Sequence, residues 1–231
     1  MNSKKKVAIL GGSFNPCTIG HLQMAAELLN NALVDSVWLV PCGQRSDKFI
    51  IENSHRLKML ELAIEEFFGD FLSHFDIQIN DAEIQNGEQI PTYDLMMQFQ
   101  NNYPEYDFAF VVGSDLIKGM PKWEKGQNLL DEISFYIFQR PGYVLNKEHL
   151  PKSYHIIQAV SISSSSTEVR ERIGQAKKID SKDEKTGREE ILEEIQSQKM
   201  NQAKRFRKMH LGVYGIIPSK VIQYIKQHNI Y

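Results

Sequence analysis

The stretch Val7-Ala8-Ile9-Leu10-Gly11-Gly12-Ser13-Phe14-Asn15-Pro16-Cys17-Thr18-Ile19-Gly20-His21-Leu22 decides how the rest of the chain is read. Four apolar residues after a lysine run fit a strand buried on both faces. Gly11 and Gly12 follow, where a backbone can turn and come close to a bulky group. From Ile19 onward the pattern opens a helix. A helix N-terminus carries unpaired N–H groups and about half a positive charge, so this order of elements favours an anion, most simply phosphate, without a dedicated lysine. His21 falls in the opening turn, facing that anion. Neither G-x-x-x-x-G-K-[ST] nor G-x-G-x-x-G occurs in the chain, which sets aside two other phosphate-binding motifs.

Outward from this stretch the periodicity alternates between strand and helix. Leu22, Ala25, Ala26 and Leu29 form one helix face over Ile19 to Asn31, and Ser36 to Val40 is the next strand, ended by Pro41-Cys42-Gly43. A polar loop, Gln44 to Asn53, holds Arg45 and Lys48. Leu57, Leu60, Ile64 and Phe67 mark a second helix, and Phe75, Ile77 and Ile79 alternate as a strand. Thr92 caps a third helix with Leu95, Met96 and Phe99 inward. Phe108 to Val112 reads as a buried strand bounded by Gly113. Ser134 to Gln139 and Tyr154 to Ala159 add strands, and Ser166 to Ala176 and Pro218 to His228 add helices. The expected fold is α/β: a Rossmann-like, doubly wound parallel sheet with helices on both faces and a helical C-terminal part, binding ligands beyond the carboxyl ends of its strands.

At 231 residues the chain fits one domain spanning 1–231, interrupted by a charged insertion at about 177–210 that is nearly free of large apolar residues. Lys204-Arg205-Phe206-Arg207-Lys208 in it reads as a solvated face before it reads as a nuclear signal. A net charge of −2 argues against a general nucleic-acid binder. Two cysteines, Cys17 and Cys42, make no disulfide framework and fit a reducing compartment. With no secretory h-region and no membrane-length apolar run, a soluble protein of cytosol or nucleus is expected. A homo-oligomer is expected, its order undetermined.

A second stretch carries chemistry: Ser161-Ile162-Ser163-Ser164-Ser165-Ser166-Thr167-Glu168-Val169-Arg170. Small hydroxyl residues at a helix start, with an arginine one turn in, can hold a triphosphate. They can equally be a serine-rich cap with a surface arginine, and taken alone the residues leave both open. No Ser-His-Asp order, H-E-x-x-H or paired-cysteine metal site is visible.

The two stretches together resemble the nucleotidyltransferase superfamily. Gly12-Ser13-Phe14-Asn15-Pro16 with Thr18-Ile19-Gly20-His21 resembles its G-[ST]-F-[DN]-P and [HT]-x-G-H signature. Ser165 to Arg170 resembles I-S-S-T-x-[IV]-R, with Ser164 in the isoleucine position and Ile162 two residues earlier. The resemblance narrows to the nicotinate or nicotinamide mononucleotide adenylyltransferases. Val40-Pro41-Cys42-Gly43, Lys48 and His55-Arg56-Leu57-Lys58-Met59-Leu60 look like that family's loop and following helix. Pro91-Thr92-Tyr93 resembles its P-S-Y-T, with Asp94 replacing the threonine. Gly113-Ser114-Asp115 resembles G-[AS]-D, Pro121-Lys122-Trp123 resembles P-x-W, Arg140-Pro141-Gly142 resembles R-P-G, and Tyr224 to Tyr231 is close to the C-terminal helix of the eukaryotic branch. The match covers nearly all of the chain outside 177–210.

What the resemblance implies is transfer of AMP from ATP to a pyridine mononucleotide, with release of pyrophosphate. It implies His21 and Arg170 as catalytic residues and Gly12, Ser13, Phe14, His21, Ser165, Ser166, Thr167 and Arg170 around ATP. Ser13, Lys48, Thr92, Gly113, Asp115, Trp123 and Arg140 are implied around the mononucleotide: Lys48 on its phosphate, Asp115 on the ribose hydroxyls and Trp123 stacked on the ring. Mg²⁺ is implied as the ion carried with ATP, with no protein metal ligands. The same signatures also allow a pantetheine-phosphate adenylyltransferase, a cytidylyltransferase, or a non-catalytic dinucleotide sensor or chaperone.

Overall fold

The computed structural model describes residues 4–158, 166–183 and 213–231. In chain order the elements are β1 (Lys5–Gly12), α1 (Ile19–Asn30), β2 (Ser36–Pro41), α2 (Asn53–Phe68), β3 (Ile77–Ile79), α3 (Ala82–Asn86) and α4 (Thr92–Asn102). There follow β4 (Tyr106–Gly113), α5 (Ser114–Ile117), α6 (Gly126–Glu132), β5 (Ser134–Phe138), β6 (Ser153–Ile157), α7 (Ser166–Asp183) and α8 (Ser219–Gln227). The strands form one sheet in the order β3-β2-β1-β4-β5-β6, every neighbouring pair parallel. The order reverses between β1 and β4, the position beyond whose strand carboxyl ends ligands bind in sheets of this kind.

Strand alternation sorts the core into two layers. Ala8 and Leu10 face one side with Val37 and Leu39, packing on Leu22, Leu28, Met59, Leu60, Val169 and Ile222 from α1, α2, α7 and α8. Val7 and Ile9 face the other with Trp38, Phe108 and Phe110, packing on Leu95, Met96, Phe99 and Leu129 from α4 and α6. Both faces are therefore covered, as a parallel sheet requires. Helix α8 is joined to α2 at its start, where the Glu66 carboxylate accepts from the Ser219 and Lys220 N–H groups at 2.8 and 2.6 Å. A carboxylate at a helix N-terminus is favourably placed for the helix dipole.

Several expectations shift in detail. The Leu57, Leu60, Ile64, Phe67 stripe is out of register: α2 buries Arg56, Met59, Leu60, Ala63, Ile64 and Phe68, and Phe67 is exposed. The stripe assumed that an arginine points outward, and Arg56 instead lies under the loops. On α1, Met24 and Leu28 are buried, while Ala26 and Leu29 are only partly so. Thr92 is the first helical residue of α4, and Pro91 occupies the cap position. β3 is shorter than Phe75 to Ile79. Helix α7 runs past Ala176 to Asp183, into the start of the charged segment, since no glycine or proline stops it there. Ala159, Ser161 to Ser165 and 184–212 lie outside the described residues. Among the described residues, no helix is long and apolar enough to cross a membrane.

Candidate active site

Gly11 and Gly12 are the last residues of β1 rather than a turn, with Gly12 level with Pro41 of β2. The chain reverses one step later, where Phe14 takes the left-handed conformation with φ 42°. Phe14 is 1% exposed, so its ring is a wedge under the loop. That ring meets the His21 imidazole edge to face at a centroid distance of 5.2 Å. What Phe14 can offer a phosphate is its backbone. The Ser13 carbonyl accepts from Arg56 Nη1 at 2.9 Å, and in a trans peptide the next N–H points the opposite way, away from Arg56.

Thr18 is the N-cap of α1, and His21 stands three residues in, where capping boxes usually carry Glu or Gln. The Thr18 N–H donates to His21 Nδ1 at 3.0 Å. With Nδ1 accepting, the neutral ring carries its proton on Nε2, which then serves as a donor. Burial, helped by the positive charge of Arg140, brings the His21 pKa down to about 4, so the ring is neutral at physiological pH. An unfolded chain takes up this proton near pH 6.5, whereas the folded protein resists it until about 4, so stability falls as pH drops through that window. For a partly buried ring the loss amounts to roughly 2 to 3 kcal/mol. Denaturant midpoints at pH 7 and pH 4.5 test this: the wild type should lose more stability than His21→Ala, and parallel losses would refute the His21 assignment.

The second motif docks onto the first. Ser166 Oγ donates to the Pro16 carbonyl at 2.7 Å, and Arg170 Nη1 donates to the Asn15 carbonyl at 2.8 Å. Arg170 Nη2 also reaches Thr167 Oγ1 at 3.1 Å, which leaves three of the five guanidinium N–H groups without a partner among the described residues. Two helix openings some 150 residues apart in sequence thus share one loop. Ser166 is a tie between them and does not cap its own helix. Ser165 lies outside the described residues.

Around β4 the acceptor-side residues converge. Gly113 leaves no room for a side chain, because a Cβ there would sit 2.3 Å from Asp115 Oδ1 and 2.9 Å from Arg140 Nε. Arg140 Nη1 reaches Asp115 Oδ2 at 3.3 Å, and the Arg140 N–H donates to Ser114 Oγ at 2.8 Å. Asp115 Oδ1 is buried without a hydrogen-bond partner among the described residues, an acceptor suited to a hydroxyl donor. Trp123 is half-buried at the margin of the core, on a tight loop where its N–H bonds Met120 O and its carbonyl accepts from Gly126, both at 2.9 Å. The fully enclosed tryptophan is Trp38. Asp94, two residues after Thr92 in the first turn of α4, pairs with Lys125 of the Trp123 loop at 2.6 Å. The Lys48 side chain is largely exposed, and its pKa is lowered by partial desolvation of its ammonium and then by the nearby charges of Arg45 and Arg170. Arg45 itself is held by Asp47.

Sequence reasoning missed three residues that hold these loops. Arg56, with no exposed surface, clamps Ser13 O, Cys42 O at 2.7 Å and Asn53 Oδ1 at 2.6 Å. Buried Glu83 accepts from the Gly43 and Ile90 N–H groups, both at 3.2 Å, and burial pushes its carboxyl pKa up. Asn15 joins the loop to Phe49, Arg170 and Tyr231. Asn15 and Arg56 lay inside quoted motifs, and a polar residue within an apolar surround was the available signal. For Glu83 there was none.

The sequence profile of the cytidylyltransferase-like family matches residues 9–172. A protein of Oceanobacillus iheyensis named "Probable nicotinate-nucleotide adenylyltransferase" is 33% identical over 171 residues, covering 73% of this chain and 84% of that protein. The chain belongs to the nicotinate-nucleotide adenylyltransferases, within the cytidylyltransferase-like family. A Bacillus cereus adenylyltransferase of the same name is 33% identical over 176 residues, 75% of this chain and 88% of its own. Among solved structures, the nicotinic acid mononucleotide adenylyltransferase of Plasmodium falciparum complexed with NaAD superposes with a TM-score of 0.73 at 27% identity, over 98% of this chain and 97% of that one. Adenylyltransferases of this family are nucleotidyltransferases, and the doubly wound sheet agrees with that membership.

Proposed function

We propose that this chain transfers AMP from ATP to nicotinate mononucleotide, forming the dinucleotide and releasing pyrophosphate. The observation that carries the reading is the docking of the first turn of α7 on Asn15 and Pro16, beside the opening of α1. This arrangement brings the His21 ring, the Phe14 N–H and the Arg170 donors that lack a partner among the described residues to one loop, as a triphosphate would need.

The acceptor phosphate is itself the nucleophile, attacking the α-phosphorus of ATP in line while the bond to the bridging oxygen of pyrophosphate breaks. A phosphate monoester needs no base at neutral pH, so catalysis reduces to positioning and stabilisation of charge. In this reading His21 donates to the transferring phosphate and Arg170, with Ser165, Ser166 and Thr167, to the β and γ groups. Lys48 meets the acceptor phosphate, Asp115 the ribose and Trp123 the pyridine ring, with Gly113, Arg140 and Thr92 alongside. Mg²⁺ enters as part of the ATP substrate.

Nicotinate is favoured over nicotinamide by the names of the relatives and by one local feature. Asp94, which would oppose a carboxylate near α4, has its charge met by Lys125. The test is a pyrophosphate-release assay with ATP or CTP against nicotinate mononucleotide, nicotinamide mononucleotide and phosphopantetheine. The expected result is turnover with ATP and nicotinate mononucleotide, slower turnover with the amide, and none with the other pairs. Binding without pyrophosphate release would identify a sensor. We also propose that 1–231 is a single nucleotidyltransferase domain with 177–210 as an insertion.

A further inference from the structure

We propose that Tyr231 is a positioning residue for the acceptor, acting through the Asn15 side chain on the loop that carries Lys48. The proposal rests on the assignment of Lys48 to the acceptor phosphate given above.

Asn15 is 1% exposed, so each of its polar atoms must find a partner inside the protein. Its Oδ1 accepts from the Tyr231 hydroxyl, and its Nδ2 donates to the Phe49 carbonyl at 3.2 Å. The Phe49 carbonyl can only accept, so it sets the amide with its N–H₂ group toward Phe49, and the Tyr231 hydroxyl, donating to Oδ1, holds the amide in that position from the other side. Phe49 directly follows Lys48. Its ring is 75% exposed and gives the loop little anchorage of its own. Between Arg45 and Ile51, the bond from Asn15 is the one hydrogen bond to another part of the chain among the described residues.

Two further observations make the route selective. The Asn15 carbonyl is held independently by Arg170, so disturbance of the Asn15 side chain leaves the triphosphate side of the loop in place. Burial raises the Tyr231 pKa above the ordinary phenol value, which keeps the hydroxyl protonated and donating. Without that hydroxyl, Oδ1 becomes a buried acceptor lacking a donor, the amide loses its second tether, and the tie to Phe49 weakens.

The experiment compares Tyr231→Phe, Lys48→Met and the double variant in steady-state assays with both substrates, alongside thermal melts. Tyr231→Phe is expected to raise KM for the mononucleotide about tenfold, the scale of one lost hydrogen bond, while kcat and KM for ATP change less than about twofold. In the Lys48→Met background the same substitution should add less than about twofold, because its route runs through Lys48. Amide exchange at 45–51 should accelerate in Tyr231→Phe while that at 167–170 does not. Equal rises in both KM values, or a full tenfold rise persisting without Lys48, would overturn the proposal. If Lys48→Met alone left the mononucleotide KM unchanged, the Lys48 assignment would fall first. If Lys48→Met raised it and Tyr231→Phe did not, only the role of Tyr231 would fall.

Discussion

Replacing His21 by alanine is expected to lower kcat for adenylyl transfer by about a hundred- to a thousandfold, the usual effect of removing one preorganised donor from a developing charge. KM for ATP should change only a few-fold, since Arg170 and the loop amides still bind the triphosphate. The argument rests on the hydrogen bond from Thr18 to Nδ1, which leaves Nε2–H as the donor of a neutral ring. The ring is aimed by three contacts: that bond, the Thr18 hydroxyl 2.7 Å from the same nitrogen, and the edge of Phe14. Steady-state kinetics decide the matter, with a melting curve to verify that the variant is folded. A variant that kept its kcat, or lost only ATP affinity, would remove His21 from the chemistry.

The second large effect concerns stability. Arg56→Met is expected to cost about 3 kcal/mol, because Ser13 O, Cys42 O and Asn53 Oδ1 each lose a donor supplied by a side chain without exposed surface. The loss is partly offset by release from burying a charge: among the described residues no carboxylate lies within ion-pair distance of Arg56, its Nε–H has no partner, and burial lowers its pKa. For a chain of this size the melting temperature should fall by about 6 to 12 °C. Arg56→Lys should recover part of the loss, since one ammonium can reach one carbonyl but lacks the fork that spans two. A melting temperature within about 2 °C of the wild type would show that water replaces the guanidinium at little cost.

The frame of the molecule was legible where residue patterns have a single physical solution. Val7 to Leu10 and Phe108 to Val112 are apolar without interruption, and only a strand covered on both faces suits them. Leu95, Met96 and Phe99 reported the inward face of α4 for the same reason. Within the site, His21, Asp115 and Arg170 could be picked out because each sits at a fixed offset from a strand or helix end. Other features depend on tertiary contacts that no local pattern records. Arg56 looks like a surface residue in any helical count, and its burial follows from two loop carbonyls brought in from Ser13 and Cys42. The bond between Tyr231 and Asn15 spans nearly the whole sequence. Helices α3, α5 and α6 are too short to show a periodicity and were not foreseen. Phe14 belongs to the nucleotide side by its motif, and since its ring turns inward its backbone is the part that can reach a ligand.

The order of the strands also bears on how the chain comes into being. β1 pairs with β2 early, but its other edge waits for β4, whose Tyr106 meets Lys5. A ribosome adding 5 to 20 residues each second needs roughly 5 to 20 s to supply the intervening hundred or so. Throughout that interval Val7 to Leu10 present an open, water-averse border to any passing polypeptide, the kind of border that invites mispairing. The seam between β1 and β4 therefore closes only once Phe108 to Phe110 have emerged, and a newborn chain that falters before then has nothing with which to shield it.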